Sequence, residues 1–590
     1  MSKKSRQYLG NLRRSPETPA KPVLKVLYNF VCPRILQTHH GKCHTETAIV
    51  TSQTILGRWG GGQLCSTEHP ADLGALLGSL SEPLFVVDRN GTTLVGKGGH
   101  LDTASDAAGG LAVRALVPPC LPEHLGDAGF VRDHGLRLPY VAGAMANGIG
   151  SCEVVEAMGQ AGMLGFFGAA GLMPEVVEDA IDRVSAKLGD KPYGFNLIHS
   201  PFEPELERKI VDLYLRRGVR LVSASAYLDL TLPLVRYRVH GIHRDTEGRV
   251  ITPNRVIAKI SRIEVARKFF APPPEQMLQE LIGHGDITAE QAEMARTIPV
   301  AQDITAEADS GGHTDNRPAF ALFPTILALR DRLQNEHAYD RPLRVGAAGG
   351  VSTPHSAAAA FAMGAAYVLT GSINQGCREA GTSDTVREML AEVEQADVRM
   401  APAADMFEMG VKLQVLTRGT MFAMRAQKLY DVYTSCASLD AIPEAQRSTL
   451  EGTIFRAPLD EIWAQTREFW LHRDPSQVER AERDPKHQMA LVFRWYLGQS
   501  SSWANAGVED RKVDYQVWCG PAMGSFNEWV RGSWIENWEN RRVVPIAHNI
   551  LRGAAVLTRA SALRHQGVAV DSNCLDLAPR EPAELEECLA

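Results

Sequence analysis

The chain has 590 residues, a formal net charge of −7, and 44% hydrophobic against 22% charged residues. That is too long for one ordinary core, so two or three domains are expected. The charge provides no bulk drive toward nucleic acid or anionic membrane, and an acidic partner would need a local basic patch.

Ten cysteines are scattered with no CxxC pair, which suits a reducing cytoplasm better than a disulfide framework. The basic start (Lys3, Lys4, Arg6) lacks the apolar run of a signal peptide. The most apolar stretch, Ala357–Thr370, is too short to span a bilayer. A cytoplasmic location is therefore expected. The cluster Cys32, His39, His40, Cys43 and His44 has a wide first ligand gap and no second CxxC-like half. It reads as a polar turn with free thiols rather than structural zinc, and no metal is expected.

Residues 1–135 form an N-terminal region of uncertain fold, with turn signals at Gly60–Gly62 and Asp88–Gly91 and a β-like run at Leu84–Val87. Tryptophan usage marks the next boundary: eight of nine fall between Trp463 and Trp538. Residues 136–395 form a central domain rich in Gly, Ala and Val; residues 396–565 are helical and aromatic-rich; residues 566–590 read as an acidic tail.

The central domain alternates short apolar runs with helical patterns. Its candidate strands are Pro139–Met145, Met163–Gly168, Tyr193–Ile198, Val219–Ser225, Arg255–Ile260, Asp303–Ala308, Leu343–Ala348 and Ala366–Thr370. Between them, Glu203–Arg217 places Leu206, Ile210, Leu213 and Tyr214 on one helical face, with Gly218 as C-cap. Eight such units predict an α/β fold, a (β/α)₈ TIM barrel with an N-terminal extension and a helical C-terminal cap. A doubly wound sheet is the alternative. Polar or glycine-rich loops at several strand ends favour the barrel, because a doubly wound sheet gathers them at its switch point.

Those strand ends assemble a pocket. The first supplies small residues and a methionine, Ala144 and Met145, fit to lie along a ring face. The third supplies Asn196, an amide in an apolar strand, either a ligand contact or a buried Asn satisfied by backbone. The fifth supplies Lys259, a residue seldom buried without a partner and so a ligand contact. The sixth runs Asp303–Asn316 and ends in Gly311-Gly312-His313. The two glycines let backbone approach a flat ligand closely. His313 follows at once, and Asp309, Asp315 and Asn316 are placed to orient its ring. After the seventh strand come Gly349-Gly350, with Thr353 to cap the next helix and Pro354 for its first turn. After the eighth come Gly371 and Ser372. Two small loops at these positions, beside a helix start, predict a phosphate site.

Six motifs carry a family resemblance: Tyr140–Gly148, Pro192–Pro201, Glu307–Pro318, Val345–Gly350, Met400–Gln414 and Asp514–Gly524. With the barrel order they resemble the flavin-dependent nitropropane dioxygenase-like superfamily. More closely, they are similar to the PfaD-type enoyl reductases, which act in trans on polyunsaturated fatty acid and polyketide synthases. The last two motifs separate this group from short nitronate monooxygenases. The resemblance covers roughly residues 130 to 560.

The resemblance implies FMN, its phosphate at Gly349, Gly350, Gly371 and Ser372 and its ring near Ala144, Met145, Asn196 and Lys259. His313 matches the histidine beside the flavin, with Gly311 and Gly312 in the same loop. It implies NAD(P)H, NADPH by preference, as reductant, a 2-enoyl thioester on acyl carrier protein as substrate, and a homodimer. His313 is then the candidate acid; alternatively solvent gives the proton and His313 stabilises charge at the thioester oxygen. Asn316, or a backbone N–H of Gly311–Gly312, would donate to that oxygen. Arg418, Arg425 and Lys428, on the helix-like run Met406–Tyr433, are a carrier-docking face or a solvated helix face. Three rivals are nitronate oxidation, a scaffold without chemistry, and a phosphosugar isomerase with Glu307 as base.

Overall fold

Short runs of Val, Ile, Ala and Phe, buried on both faces, become parallel strands when helices cover them outside. In the computed structural model, which describes residues 55–66, 70–104 and 109–589, eight such strands close into a barrel. They are Tyr140–Ala142, Leu164–Phe167, Gly194–Ile198, Leu221–Ser225, Arg255–Ile260, Asp303–Glu307, Arg344–Ala348 and Val368–Thr370. All eight expected strands are present, trimmed at their ends, and closure decides for the barrel over the doubly wound sheet. The intervening helix Pro204–Arg217 buries Ile210, Leu213 and Tyr214 and stops at Gly218, whose φ of 70° lies in the left-handed region. The Cys32–His44 cluster and the basic start lie outside the described residues.

The lower end of the barrel is plugged by the helix Ala128–Asp133. Phe130 stacks on Tyr367 at 4.1 Å between ring centres. Arg344 pairs with Asp303 at 2.6 Å and with Asp133 at 2.9 Å. His134 Nε2 also meets Asp303, at 2.9 Å. Burial opposes the charged Asp303 carboxylate, but Arg344 and His134 outweigh it and hold its pKa at about 2. The expected boundary at 135 thus cuts between this plug and the strands it seals.

Before the plug lies a six-stranded antiparallel sheet formed by strands between Gly57 and Val117. Its central hairpin turns at Asn90-Gly91, both at positive φ, the pairing that matches the twist of two-residue hairpins. The sheet is tied to the far end of the chain. Arg559, 1% exposed on the helix Val543–His565, donates to the carbonyls of Leu77, Ser79 and Glu82. The same helix packs on barrel helix Pro354–Ala362, where a Cβ at Gly553 would lie 2.6 Å from Pro354. The described residues fall within one compact unit.

After the barrel come a β-hairpin, Val398–Pro402 with Lys412–Leu416, and a bundle of helices from Phe422 to Ala506. The run Met406–Tyr433 is therefore not one helix: it holds a 3₁₀ turn, a strand and the start of helix Phe422–Ser435. Arg425 points inward to Asp514, whose side chain is fully buried, and Arg418 pairs with Asp397. Arg425 is thus spent inside the cap, whereas Arg418 and Lys428 are exposed. The end of the chain is folded back rather than a free acidic tail, with Cys574 and Leu585 each 2% exposed. No described helix is long and apolar enough to cross a membrane.

Candidate active site

The carboxyl ends of the strands open into a cavity of about 830 Å³. Its floor is barrel; its roof is the cap helix Leu459–Arg473, through Gln465, Phe469 and Trp470. The cap is clamped to the barrel by Arg473 with Glu203, by Gln477 donating to Phe202 O, and by Asn147 donating to Ser501.

The cavity brings together Ala144, Met145, Asn196, Lys259, Gly311, Gly312, His313, Gly349, Gly350, Gly371 and Ser372. It does not include Asn316. That side chain donates to Asp309 at 2.8 Å and to Gln414 at 3.1 Å, and it shapes the loop from outside. Asp315 pairs with Arg262 at 2.9 Å and accepts from Ser261 at 2.6 Å. Asp309 accepts from Gln414 at 2.8 Å. None of these three neighbours orients the His313 ring.

The group that does comes from outside the barrel. Gly312–His313 pairs antiparallel with Lys412–Leu416, His313 opposite Leu413. This makes the loop a third strand on the C-terminal hairpin and brings the hairpin's own turn over the ring. Asp405 in that turn lies with Oδ1 3.0 Å from His313 Nε2. Burial alone would push the imidazole below its ordinary value, but the Asp405 carboxylate outweighs it and the net shift is upward. For Asp405 burial raises and His313 lowers, and the net is downward.

Lys259 and Glu307 form a second ion pair in the cavity at 2.8 Å, and Ser310 donates to the same Glu307 oxygen at 2.9 Å. The pair accounts for a recessed lysine before any ligand is invoked. Glu307 faces the cavity, yet its partners hold it as a counter-ion rather than as a free base. Asn196 spends both amide hydrogens on Ser223 O at 3.0 Å and Ser225 Oγ at 3.1 Å.

The loops after strands seven and eight fit a phosphate. Gly349 and Gly350 have φ of 82° and 78°, and a Cβ at Gly349 would lie 2.6 Å from Ala308 C. A Cβ at Gly350 or Gly371 would meet nothing within 4 Å, so both leave an open cradle in the cavity wall. Ser352, fully buried beside this loop, has an Oγ with no hydrogen-bond partner. Helix Pro354–Ala362 starts there with Thr353 and Ser356 as a capping box. Gly311 plays a different part. A Cβ there would come within 3.0 Å of the backbone of Cys519–Gly520, and Gly520 N–H donates to Ser372 Oγ at 3.1 Å. The motif Asp514–Gly524 thus threads between the histidine loop and the eighth strand end.

Sequence reasoning missed Asp405, Gln414 and the roof residues Phe469 and Trp470. The signal for the first two was present, since both stand in the motif Met400–Gln414, but nothing local tied that motif to His313.

Fold and site together define an α/β barrel whose cavity is completed by a C-terminal hairpin and roofed by a helical cap. Residues 134–418 match the family model described as nitronate monooxygenase, and residues 436–515 the one described as acyl-carrier-protein S-malonyltransferase, inserted helical domain. The enoyl reductase domain of MlnA from the macrolactin cluster of Bacillus amyloliquefaciens is 42% identical with a TM-score of 0.70, over 75% of this chain and 99% of that one. A component of the polyunsaturated fatty acid synthase of Thraustochytrium sp. is 49% identical over 79% of this chain. The polyketide biosynthesis protein PksE of Bacillus subtilis is 48% identical over 74%. The chain spans 32% of the length of the first of these two and 56% of the second. It belongs to the PfaD-type enoyl reductase family, within the nitronate monooxygenase-like barrel superfamily.

Proposed function

We propose that this chain is an oxidoreductase, an FMN-dependent enoyl reductase that uses NAD(P)H on 2-enoyl thioesters carried by acyl carrier protein. The observation that carries the reading is His313, held by Asp405 in a roofed cavity beside an open glycine-lined cradle, in a chain similar to an enoyl reductase domain over nearly all of that domain. What FMN supplies when bound is hydride transfer, from NAD(P)H to the β-carbon of the enoyl group.

The protein's part is binding, orientation and proton supply. Gly349, Gly350, Gly371 and Ser372 would hold the phosphate; Ala144 and Met145 would flank the ring; Lys259 and Asn196 would face its polar edge. His313 would keep a proton for the α-carbon, because the Asp405 carboxylate raises its proton affinity above that of an ordinary imidazole. The Gly311–Gly312 backbone is the remaining candidate donor to the thioester oxygen, since Asn316 is engaged elsewhere. The roof would exclude water and seat the acyl chain.

A carrier-protein partner draws support from the family model matched by the cap and from the names of the relatives. The homodimer expected from the family is tested by light scattering.

The test is anaerobic. The FMN-loaded protein is reduced with NADPH, followed by bleaching of the flavin band, and then given a 2-enoyl thioester. Return of the oxidised spectrum without oxygen is the expected result. A band restored by oxygen alone would favour nitronate-type oxidation. No uptake of FMN at all would refute the cofactor assignment.

A further inference from the structure

We propose that Asp405 is a positioning residue for this reaction: it grips the His313 ring at Nε2, so that Nδ1 is the atom that presents the proton to the substrate. The inference rests on the enoyl reductase reading above and adds to it the identity of the reacting nitrogen and the origin of its control.

The geometry leaves little choice of atom. His313 Nε2 is engaged by Asp405 Oδ1 at 3.0 Å, and no other described side chain or backbone group hydrogen-bonds to the ring. Both residues line the cavity, and each side chain keeps somewhat over a quarter of its surface open to it (28% and 29%). A carboxylate on one imidazole nitrogen fixes the tautomer, because the N–H on that side is donated to it and the other nitrogen is left for chemistry.

The grip is reinforced from two directions. Gly312–His313 is a strand of the same small sheet whose turn carries Asp405, so one sheet carries both ring and carboxylate. Arg494 of the cap faces Asp405 electrostatically and favours its ionised form. The other charged groups facing His313 are Lys259 from the fifth strand and Glu307 from the sixth. They are paired with each other at 2.8 Å, so their opposite effects on the ring largely cancel and Asp405 decides.

Atoms and electrons balance across the step. The β-carbon would gain a C–H bond with the hydride that FMN supplies when bound, and the electron pair of the double bond would move toward the thioester carbonyl. The α-carbon then takes the proton from Nδ1; that N–H bond breaks and its electron pair stays on the ring. The imidazole is left neutral, with its Nε2–H still donated to Asp405, and regains a proton from solvent. The carboxylate that positions the ring lies 92 residues beyond the histidine, in the hairpin that follows the barrel.

The test uses the full chain and two readouts. Hydrogen–deuterium exchange at the imidazole C2 position, followed by mass spectrometry, reports the titration midpoint of His313 whether or not the protein is active. Asp405→Asn should lower that midpoint by about one pH unit. In steady state it should lower kcat about 100-fold with KM nearly unchanged, and Asp405→Glu should recover part of the loss. An unchanged midpoint in Asp405→Asn would overturn the assignment, whatever the rate does. A lowered midpoint with unchanged kcat and pH profile would overturn it too, because the proton would then come from elsewhere. A wild-type protein that reduces no enoyl thioester would instead remove the reading on which the catalytic half rests, and the exchange experiment would still decide the pairing.

Discussion

Single glycines in this cavity do unlike jobs, and substitution separates them. At Gly371 the backbone φ of −129° lies outside the left-handed region, and an added methyl meets no protein atom within 4 Å. Gly371→Ala should therefore fold and melt like wild type. Its methyl would occupy the proposed phosphate cradle, and affinity for FMN should fall about 10-fold or more, near 1.4 kcal/mol. Equilibrium dialysis reads the affinity, and unaltered FMN binding would sink the cradle. Gly349→Ala should behave in the opposite sense. Its φ of 82° and the 2.6 Å approach to Ala308 make the methyl a folding problem, worth about 1–3 kcal/mol. The glycine pair could be read from the sequence as a turn or a cradle; which glycine does which depends on neighbours about 40 residues away.

At the scale of elements, the C-terminal hairpin is what the barrel lacks. Gln414, 5% exposed, donates to Asp309 and to Ser310 O, each at 2.8 Å, and accepts from Asn316. Gln414→Ala would strand the part-buried Ser310 carbonyl and uncouple the hairpin from the histidine loop. A loss of about 1–3 kcal/mol by denaturant titration is expected, together with a fall in activity. The cap has its own keystone. Asp514, its side chain wholly buried, accepts from Arg425, Arg456, Arg511 and Tyr496. Asp514→Ala leaves three guanidinium groups short of their counter-charge. About 3–5 kcal/mol should be lost, with the cap opening first, visible as tryptophan fluorescence changing before the far-ultraviolet circular dichroism. Stability within about 1 kcal/mol of wild type would contradict this. The helix patterns of the cap could be read in advance, but the inward turn of Arg425 could not. A cation on a polar face looks the same in sequence whether it meets solvent or a carboxylate 89 residues on.

Across the whole molecule, pH acts on histidines of opposite kind. Burial, helped by Arg480 and Arg494, pushes His487 down to about 4, and burial with Arg137 does the same to His548. Below pH 6.5 the unfolded chain protonates these sites first, so stability falls as pH drops from 6.5 toward 4. His313 has the reverse sign: its raised pKa adds stability that is complete below 6.5 and lost as pH rises through the folded value. Melting temperature should thus decline on acidification, and less steeply in His487→Asn. Equal slopes would show that His487 is not a source of the decline.

The barrel, its eight strands and the positions of the loops that line the cavity were legible in the sequence, because strand period, helix caps and glycine pairs are local signals that the fold obeys. The sequence also held the family, through six motifs spread along the chain. Only the tertiary structure decided who holds His313. The nearby Asp309, Asp315 and Asn316 were the natural candidates, and each is spent on another partner. Asp405 wins because backbone pairing between Gly312–His313 and Lys412–Leu416 brings the turn to the ring, and strand pairing between distant segments leaves no periodic mark in either one.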